Sequence, residues 1–240
     1  MMKYQTKVSV LPVMAEASNQ SVMISQMLFG ETCEVTGKEL NFAHIRTDFD
    51  GTEGFVDFQC LEPETETEKT VITVPYQSVE MQQGAVLLSI GSEIPKEKIT
   101  ETGERSNIAD LALKFLNVPF MQGGRSFFGT DAAAFVQLIF KVTGYKLPRT
   151  VTEQAEHGKV LDFLGESADG DLAFFEDEDG QINHVGVVLN SSEVVHCFGK
   201  VRKDQLDTAG IYNRDLKKHT HKLRFIRRIE VKNGLNNSLK

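Results

Sequence analysis

The chain has no tryptophan at all, so no indole is available to line a ligand groove. Its three cysteines, Cys33, Cys60 and Cys197, are odd in number and lack any metal-ligand spacing, which excludes a disulfide framework and fits a reducing compartment. No stretch approaches the roughly 18 consecutive apolar residues of a membrane span, and the opening MMKYQTKVSVLP has a cation but no apolar h-region. Neither a membrane span nor a signal peptide is therefore expected, and the chain is placed in the cytoplasm. Positive charge is also short: 26 basic against 34 acidic residues give a net charge of −8, which offers no field for nucleic acid. The local acidic runs EPETETE and FFEDEDG read as solvated linker and loop.

What is present is a core. A chain of 240 residues, 40% of them hydrophobic, buries enough surface for two domains and a small third module. The fold class expected is α+β. Residues 7–60 alternate short apolar or β-branched runs with turns at Phe29-Gly30, Thr36-Gly37 and Asp50-Gly51, a small all-β module. Its close, Gly54-Phe55-Val56-Asp57, resembles the Gly-Trp-Ile-Asp of bacterial SH3 domains, with Phe55 in place of tryptophan. This sets residues 1–62 as an SH3-like domain. Residues 61–69 are polar and read as linker, and the strands VITVPY and AVLLSIGSEI make residues 63–103 a linker plus a second, abbreviated SH3-like module, or else an extension of the first. Residues 104–232 form the main domain: a helix from Ser106, a central helix, then strands DLAFF, INHVGVVL, EVVHCFG and KLRFIRRIEV. Residues 233–240 are a tail.

The main domain is organised around Gly123 to Val142, where a glycine-rich loop enters a helix starting near Asp131. Phe135, Leu138, Ile139 and Val142 recur at i, i+3, i+4 and i+7, one apolar helical face, and Thr130 or Asp131 caps the first turn. A helix start of this kind stabilises a thiolate or an oxyanion through its unpaired N–H groups and its dipole. Ala132 occupies the position where a thiol would serve. His184 and His196, twelve residues apart on two successive expected strands, can meet on one face of a hairpin.

These features together resemble the NlpC-type cell-wall cysteine endopeptidases, across residues 106–230. Asp131-Ala132-Ala133-Ala134-Phe135 stands where that family has Asp-Cys-Ser-Gly-Phe. Val118 to Gly124 aligns with its Pro-Tyr-x-Trp-Gly-Gly loop, Leu147-Pro148-Arg149 with its Leu-Pro-Arg, Gly170 to Phe175 with Gly-Asp-Leu-x-Phe-Phe, and His184-Val185-Gly186 with its base strand. The resemblance implies a papain-like fold whose site is walled by the SH3-like modules. It assigns Ala132 the place of the missing nucleophile, His184 that of the base and His196 that of the orienting group. It also implies a substrate groove at Asp131, Ala133, Phe120 and Gln122, and cleavage of γ-D-glutamyl to diamino-acid bonds of murein peptides in working members. No cofactor is implied, and metal binding is not expected, because the two histidines lack a third ligand at sensible spacing.

The departures shape the functional expectation. Ala132 removes the nucleophile, Ala133 and Ala134 replace serine and glycine, and Phe120 and Gln122 replace tyrosine and tryptophan. The leading reading is an inactive homologue whose groove binds a murein-derived peptide or a protein partner. One alternative is an active cysteine endopeptidase whose native residue at 132 is cysteine; another is an interaction protein acting through its SH3-like modules, with the peptidase frame as scaffold. Thr130 and Ser126 lie off the nucleophile's geometry, and strand alternation turns Cys197 away from the site. Asp131 is read as helix cap or ligand, Arg125 as solvent-facing, and Arg149 as either a carboxylate contact or solvent-facing.

Overall fold

The computed structural model describes residues 3–65, 67–82, 84–99 and 107–230. The expected start of the first helix at Ser106 and the tail lie outside the described residues.

Seven strands form the first unit: β1 (Lys3–Thr6), β2 (Val10–Met14), β3 (Met23–Leu28), β4 (Thr32–Glu39), β5 (Phe42–Thr47), β6 (Glu53–Asp57) and β7 (Leu61–Pro63). They make one antiparallel sheet in the order β3-β2-β6-β5-β4-β1-β7, over a core that includes Leu11, Val13, Met27, Ala43, Ile45 and Val56. The stretch expected as linker thus begins with a strand: Leu61 is buried and β7 pairs with β1, so the chain stays in the sheet until Pro63. Two two-stranded ribbons follow, β8 (Lys69–Val71) with β11 (Glu93–Pro95), and β9 (Tyr76–Met81) with β10 (Gly84–Ser89). They enclose a small core of Ile72, Val79, Leu88 and Ile94.

In the third unit, helix α1 (Ile108–Lys114) is capped by Asn107, whose side chain accepts from the Asp110 N–H at 2.8 Å. Its last helical residue is Lys114, so Leu116 lies beyond the helix and is exposed, while Leu111, Ala112 and Phe115 are buried. A short hairpin, β12 (Arg125–Ser126) and β13 (Gly129–Thr130), leads into α2 (Ala132–Val142). The single apolar face read from the sequence understates the burial of α2: Ala133 through Lys141 are all buried, Gln137 and Lys141 included. Phe135 packs edge-on against Phe115 at 5.5 Å between centroids, and burying such a ring contributes roughly 1.5–3 kcal/mol. A four-residue helix, α3 (Val151–Gln154), starts on a capping box between Thr150 and Glu153.

The remaining strands are β14 (Lys159–Leu161), β15 (Leu172–Glu176), β16 (Ile182–Leu189), β17 (Glu193–Phe198), β18 (Lys200–Asp207), β19 (Gly210–Asn213) and β20 (Lys218–Arg228). Strands β18 and β19 occupy what the sequence presents only as a polar stretch. Because β19 pairs with both β18 and β20, strands β15 to β20 close into a barrel, with β14 appended outside β20. Closure leaves those six strands without a free edge. Period-two alternation then sorts the barrel's residues. Val185, Val187, Val195 and Cys197 pack outward with α1 and α2, whereas Phe175, Val188, Val194, Leu206 and Ile211 form a separate core on the other face.

Buried charge joins the units. Glu31 receives both terminal nitrogens of Arg125 at 2.9 Å and Lys141 Nζ at 2.5 Å; Lys141 also reaches Glu93 at 2.8 Å. Arg125 is only 2% exposed, so the solvent-facing expectation is corrected: its partner lies on a distant module that no local pattern reveals. Gln137 of α2 donates to Asp50 at 2.8 Å, and both cations sit 4.8 Å from the Phe49 ring centroid. Gly123 seals the same seam from the loop side. With φ at +72° and an added Cβ only 2.1 Å from the Met23 carbonyl oxygen, no other residue fits there unstrained.

Candidate active site

A cleft of about 590 Å³ opens at the start of α2. It is lined by Asp131, Ala132 and Ala133 at the helix start, by Asn183 and His184 of β16, and by Met23 and Ile24 of β3 with Val22 just before them. Phe120 and Gln122 line it as well, so six of the seven positions singled out from the sequence reach one cavity. The seventh, His196, lies fully buried behind His184.

Asp131 has two attachments. Its Oδ1 accepts from the Ala134 N–H at 2.9 Å, the N-cap bond, and its carboxylate is gripped by both terminal nitrogens of Arg149, one at 3.1 Å. Arg149 also donates to the Ser25 hydroxyl at 3.1 Å, so it is neither solvent-facing nor idle; it ties the helix start to the first sheet.

Behind His184 runs a relay. His184 Nε2 and His196 Nδ1 are 2.9 Å apart, and His196 Nε2 is 3.0 Å from Asp204 Oδ2. An ionised carboxylate only accepts, so His196 carries its proton on Nε2 and offers Nδ1 as acceptor; His184 then donates from Nε2 and keeps Nδ1 as its bare, basic nitrogen. Asp204 is itself fixed by Arg202 at 2.6 and 2.9 Å. Burial would raise the Asp204 carboxyl, but hydrogen bonds from His196 and Arg202 outweigh it and hold the group at about 2. Burial lowers the His184 imidazole well below its usual range, with His221 and His196 adding to it, and burial lowers His196 despite the opposing pull of Asp204. Both rings are therefore neutral near pH 7, as a base relay needs.

Residues 117–224 match the model of the NlpC/P60 family. This part of the chain belongs to that family. A γ-D-glutamyl-L-lysine dipeptidyl-peptidase of Bacillus subtilis (strain 168) is 35% identical over 120 residues, 48% of this chain and 40% of the relative. One of the same name from Bacillus cereus (strain ATCC 10987 / NRS 248) is 31% identical over 84 residues, 34% of this chain and 25% of the relative. The matches thus span well under half the length of either relative. Among solved structures, an NlpC/P60 family protein from Bacillus cereus ATCC 10987 superposes with a TM-score of 0.76 at 16% identity, covering 94% of this chain and 99% of that one. An NlpC/P60 endopeptidase from Photobacterium damselae subsp. piscicida gives 0.69 at 12% identity over 93% and 70% of the two chains. At such identities the likeness is one of fold, and it extends beyond the NlpC/P60 domain to the two β units before it.

Two polar residues of the NlpC/P60 domain's site escaped the sequence reading. Asp204 and His221 both lie in or beyond the polar stretch that proved to be strand. His221 stacks on His184 with ring centroids 4.1 Å apart, and burial pushes its imidazole down to about 4. A signal existed: His221 lies two residues before Leu223 on β20, and that spacing places both on one face. The expectation that no third imidazole accompanies His184 and His196 is corrected, because barrel closure brings β20 to the same mouth.

The thiol and hydroxyls near the helix start are engaged elsewhere. Cys197 does turn from His196 by strand alternation, yet it still lines the cleft from the helix side, which corrects the view that it points away. Its Sγ donates to the Thr130 carbonyl at 3.3 Å, and burial, reinforced by Asp131, pushes the thiol up to about 12. The Ser126 and Thr130 hydroxyls donate to the backbone carbonyls of Gly129 and Asp131. None supplies a nucleophile to His184.

Proposed function

We propose that this chain binds a murein-derived peptide of the γ-D-glutamyl-diamino-acid type in the cleft without hydrolysing it. One observation carries the reading: a relay that ends on His184 lines the same cleft as a helix start whose first residue, Ala132, has only a methyl group. A cysteine peptidase needs a thiol, a base and an orienting group, and the thiol is the missing part. The names of the relatives supply the ligand class. Arg149 and Asp131 offer a carboxylate–guanidinium pair to a zwitterionic peptide end, and the first β unit, which we read as SH3-like beside a papain-like domain, provides the opposing wall.

Calorimetric titration with a γ-D-glutamyl-L-lysine peptide tests this, alongside mass spectrometry of the same mixture. Saturable binding with the peptide intact is expected. Steady turnover by the purified chain, or no binding at all, overturns the proposal.

The second reading, an endopeptidase whose cysteine has been replaced at 132, is favoured by the completeness of the relay: His184, His196, Asp204 and Arg202 keep every bond a working base requires. Ala132→Cys separates the two. Recovered hydrolysis favours a site lost by one substitution; silence favours a groove remodelled at Phe120, Gln122 and Ala133. The interaction-protein reading finds no comparable support, since the first β unit spends part of its surface on the cleft wall and the buried ion cluster.

A further inference from the structure

We infer that His184, His196 and His221 form a three-imidazole site for a divalent cation of the zinc class at the mouth of the C-terminal barrel. Each offers one ring nitrogen, and these three atoms lie within 4.8 Å of one another. A tetrahedral ion with bonds of about 2.1 Å places its donors roughly 3.4 Å apart, so binding opens the 2.9 Å His184–His196 pair slightly and draws the His221 nitrogen in. The three residues sit on β16, β17 and β20, held by the closed barrel rather than by loops.

The outer shell points the same way. Histidine ligands of metals commonly donate their second nitrogen to a carboxylate, which fixes the tautomer and strengthens the donor. His196 has that partner in Asp204, and Asp204 is clamped by Arg202. His196 keeps its Nε2 proton and presents Nδ1 to the ion. His184 gives its Nε2 to the ion and shifts that proton to Nδ1, so each ring stays neutral and no charge is lost. An all-nitrogen set selects zinc, cobalt, nickel or copper over calcium and magnesium. Cys197, on the opposite face of β17 with its thiol on the Thr130 carbonyl, is not part of the set. Three protein ligands leave the fourth coordination position to water or to a ligand's polar group. Coordination takes the nitrogens the relay uses, so the two roles exclude each other. With Ala132 at the helix start, the relay has no thiol to serve.

The test uses the full chain, stripped with a chelator and titrated with cobalt(II), then with zinc(II) in competition. One ion per chain is expected, with the visible ligand-field bands of a tetrahedral nitrogen site and no thiolate charge-transfer band. His221→Ala should abolish stoichiometric binding while remaining folded by circular dichroism. His219→Ala, an exposed neighbour paired with Asp207, should leave it unchanged. Asp204→Asn should weaken it about 10- to 100-fold. Should His221→Ala unfold, X-ray absorption of the zinc-loaded parent decides, with a first shell of three imidazoles expected. No one-to-one binding by the parent, a sulfur ligand, or undiminished binding by folded His221→Ala overturns the inference.

Discussion

Replacing Glu31 by glutamine removes the only carboxylate shared by Arg125 and Lys141 among the described residues, and the structure allows the cost to be worked through. Arg125 is 2% exposed and the Lys141 side chain 4%, so neither can recover full hydration when its counter-charge goes. Breaking a buried pair by deleting one partner costs about 3–5 kcal/mol. Lys141 keeps Glu93, and Arg125 keeps Gln137 and the Gln26 carbonyl, which places the loss near the lower end, about 3 kcal/mol. At roughly 2–4 °C per kcal/mol for a chain this size, the melting midpoint falls by roughly 6–12 °C. Differential scanning calorimetry of both proteins at pH 7 measures it. The pH dependence adds a second handle. Burial would raise the Glu31 carboxyl, but Arg125 and Lys141 together hold it below its ordinary value. Its contribution is therefore complete above the unfolded carboxylate pKa, about 4.3, and is lost as the pH falls through the lower folded value. The gap between parent and variant should close in acid. A Glu31→Gln midpoint within about 2 °C of the parent at pH 7 refutes the reasoning and makes the cluster a bystander.

Three further outcomes follow from the site. With chelator present, any cleavage of a γ-D-glutamyl-L-lysine peptide that Ala132→Cys recovers should fall when Asp204→Asn is added, by up to about 10⁴-fold, the upper scale of losing an orienting carboxylate, since Asp204 holds the His196 that orients His184; steady-state kinetics on both variants decide. The parent should lose stability as the pH drops from about 6.5 to about 4, because the His221 imidazole, depressed to about 4 by burial, is charged more readily in the unfolded chain. His221→Phe should flatten that part of the profile in urea titrations, and an unchanged slope counts against it. Alkylation of the folded protein at pH 8 should label Cys60 first, since burial pushes the Cys33 and Cys197 thiols up to about 12; peptide mapping that finds Cys197 labelled first rejects that assignment.

How far the sequence could be read depended on the range of the contacts involved. The start of α2, the capping role open to Asp131 and the pairing of His184 with His196 are local or one hairpin apart, and period and spacing expose them. Asp204 hid itself: a buried carboxylate between Val201 and Leu206 breaks the apolar alternation by which β18 would be recognised. His221 reaches the site only because the barrel closes, a pairing no window of sequence contains. Arg125 read as solvent-facing for the same reason, since Glu31, its buried partner, belongs to another sheet. Helix α3 is too short for helical periodicity, and only its capping box announces it.

The seam at Gly123 bears on how such a protein can be recombined. The Met23 carbonyl touches the space a side chain at 123 would fill, while Glu31, a few positions on, neutralises cations of the hairpin and α2. A chimaera joining this front portion to another relative's rear portion would inherit a flank without its buttress unless both parents supply the matching halves of the glycine contact and the carboxylate lock.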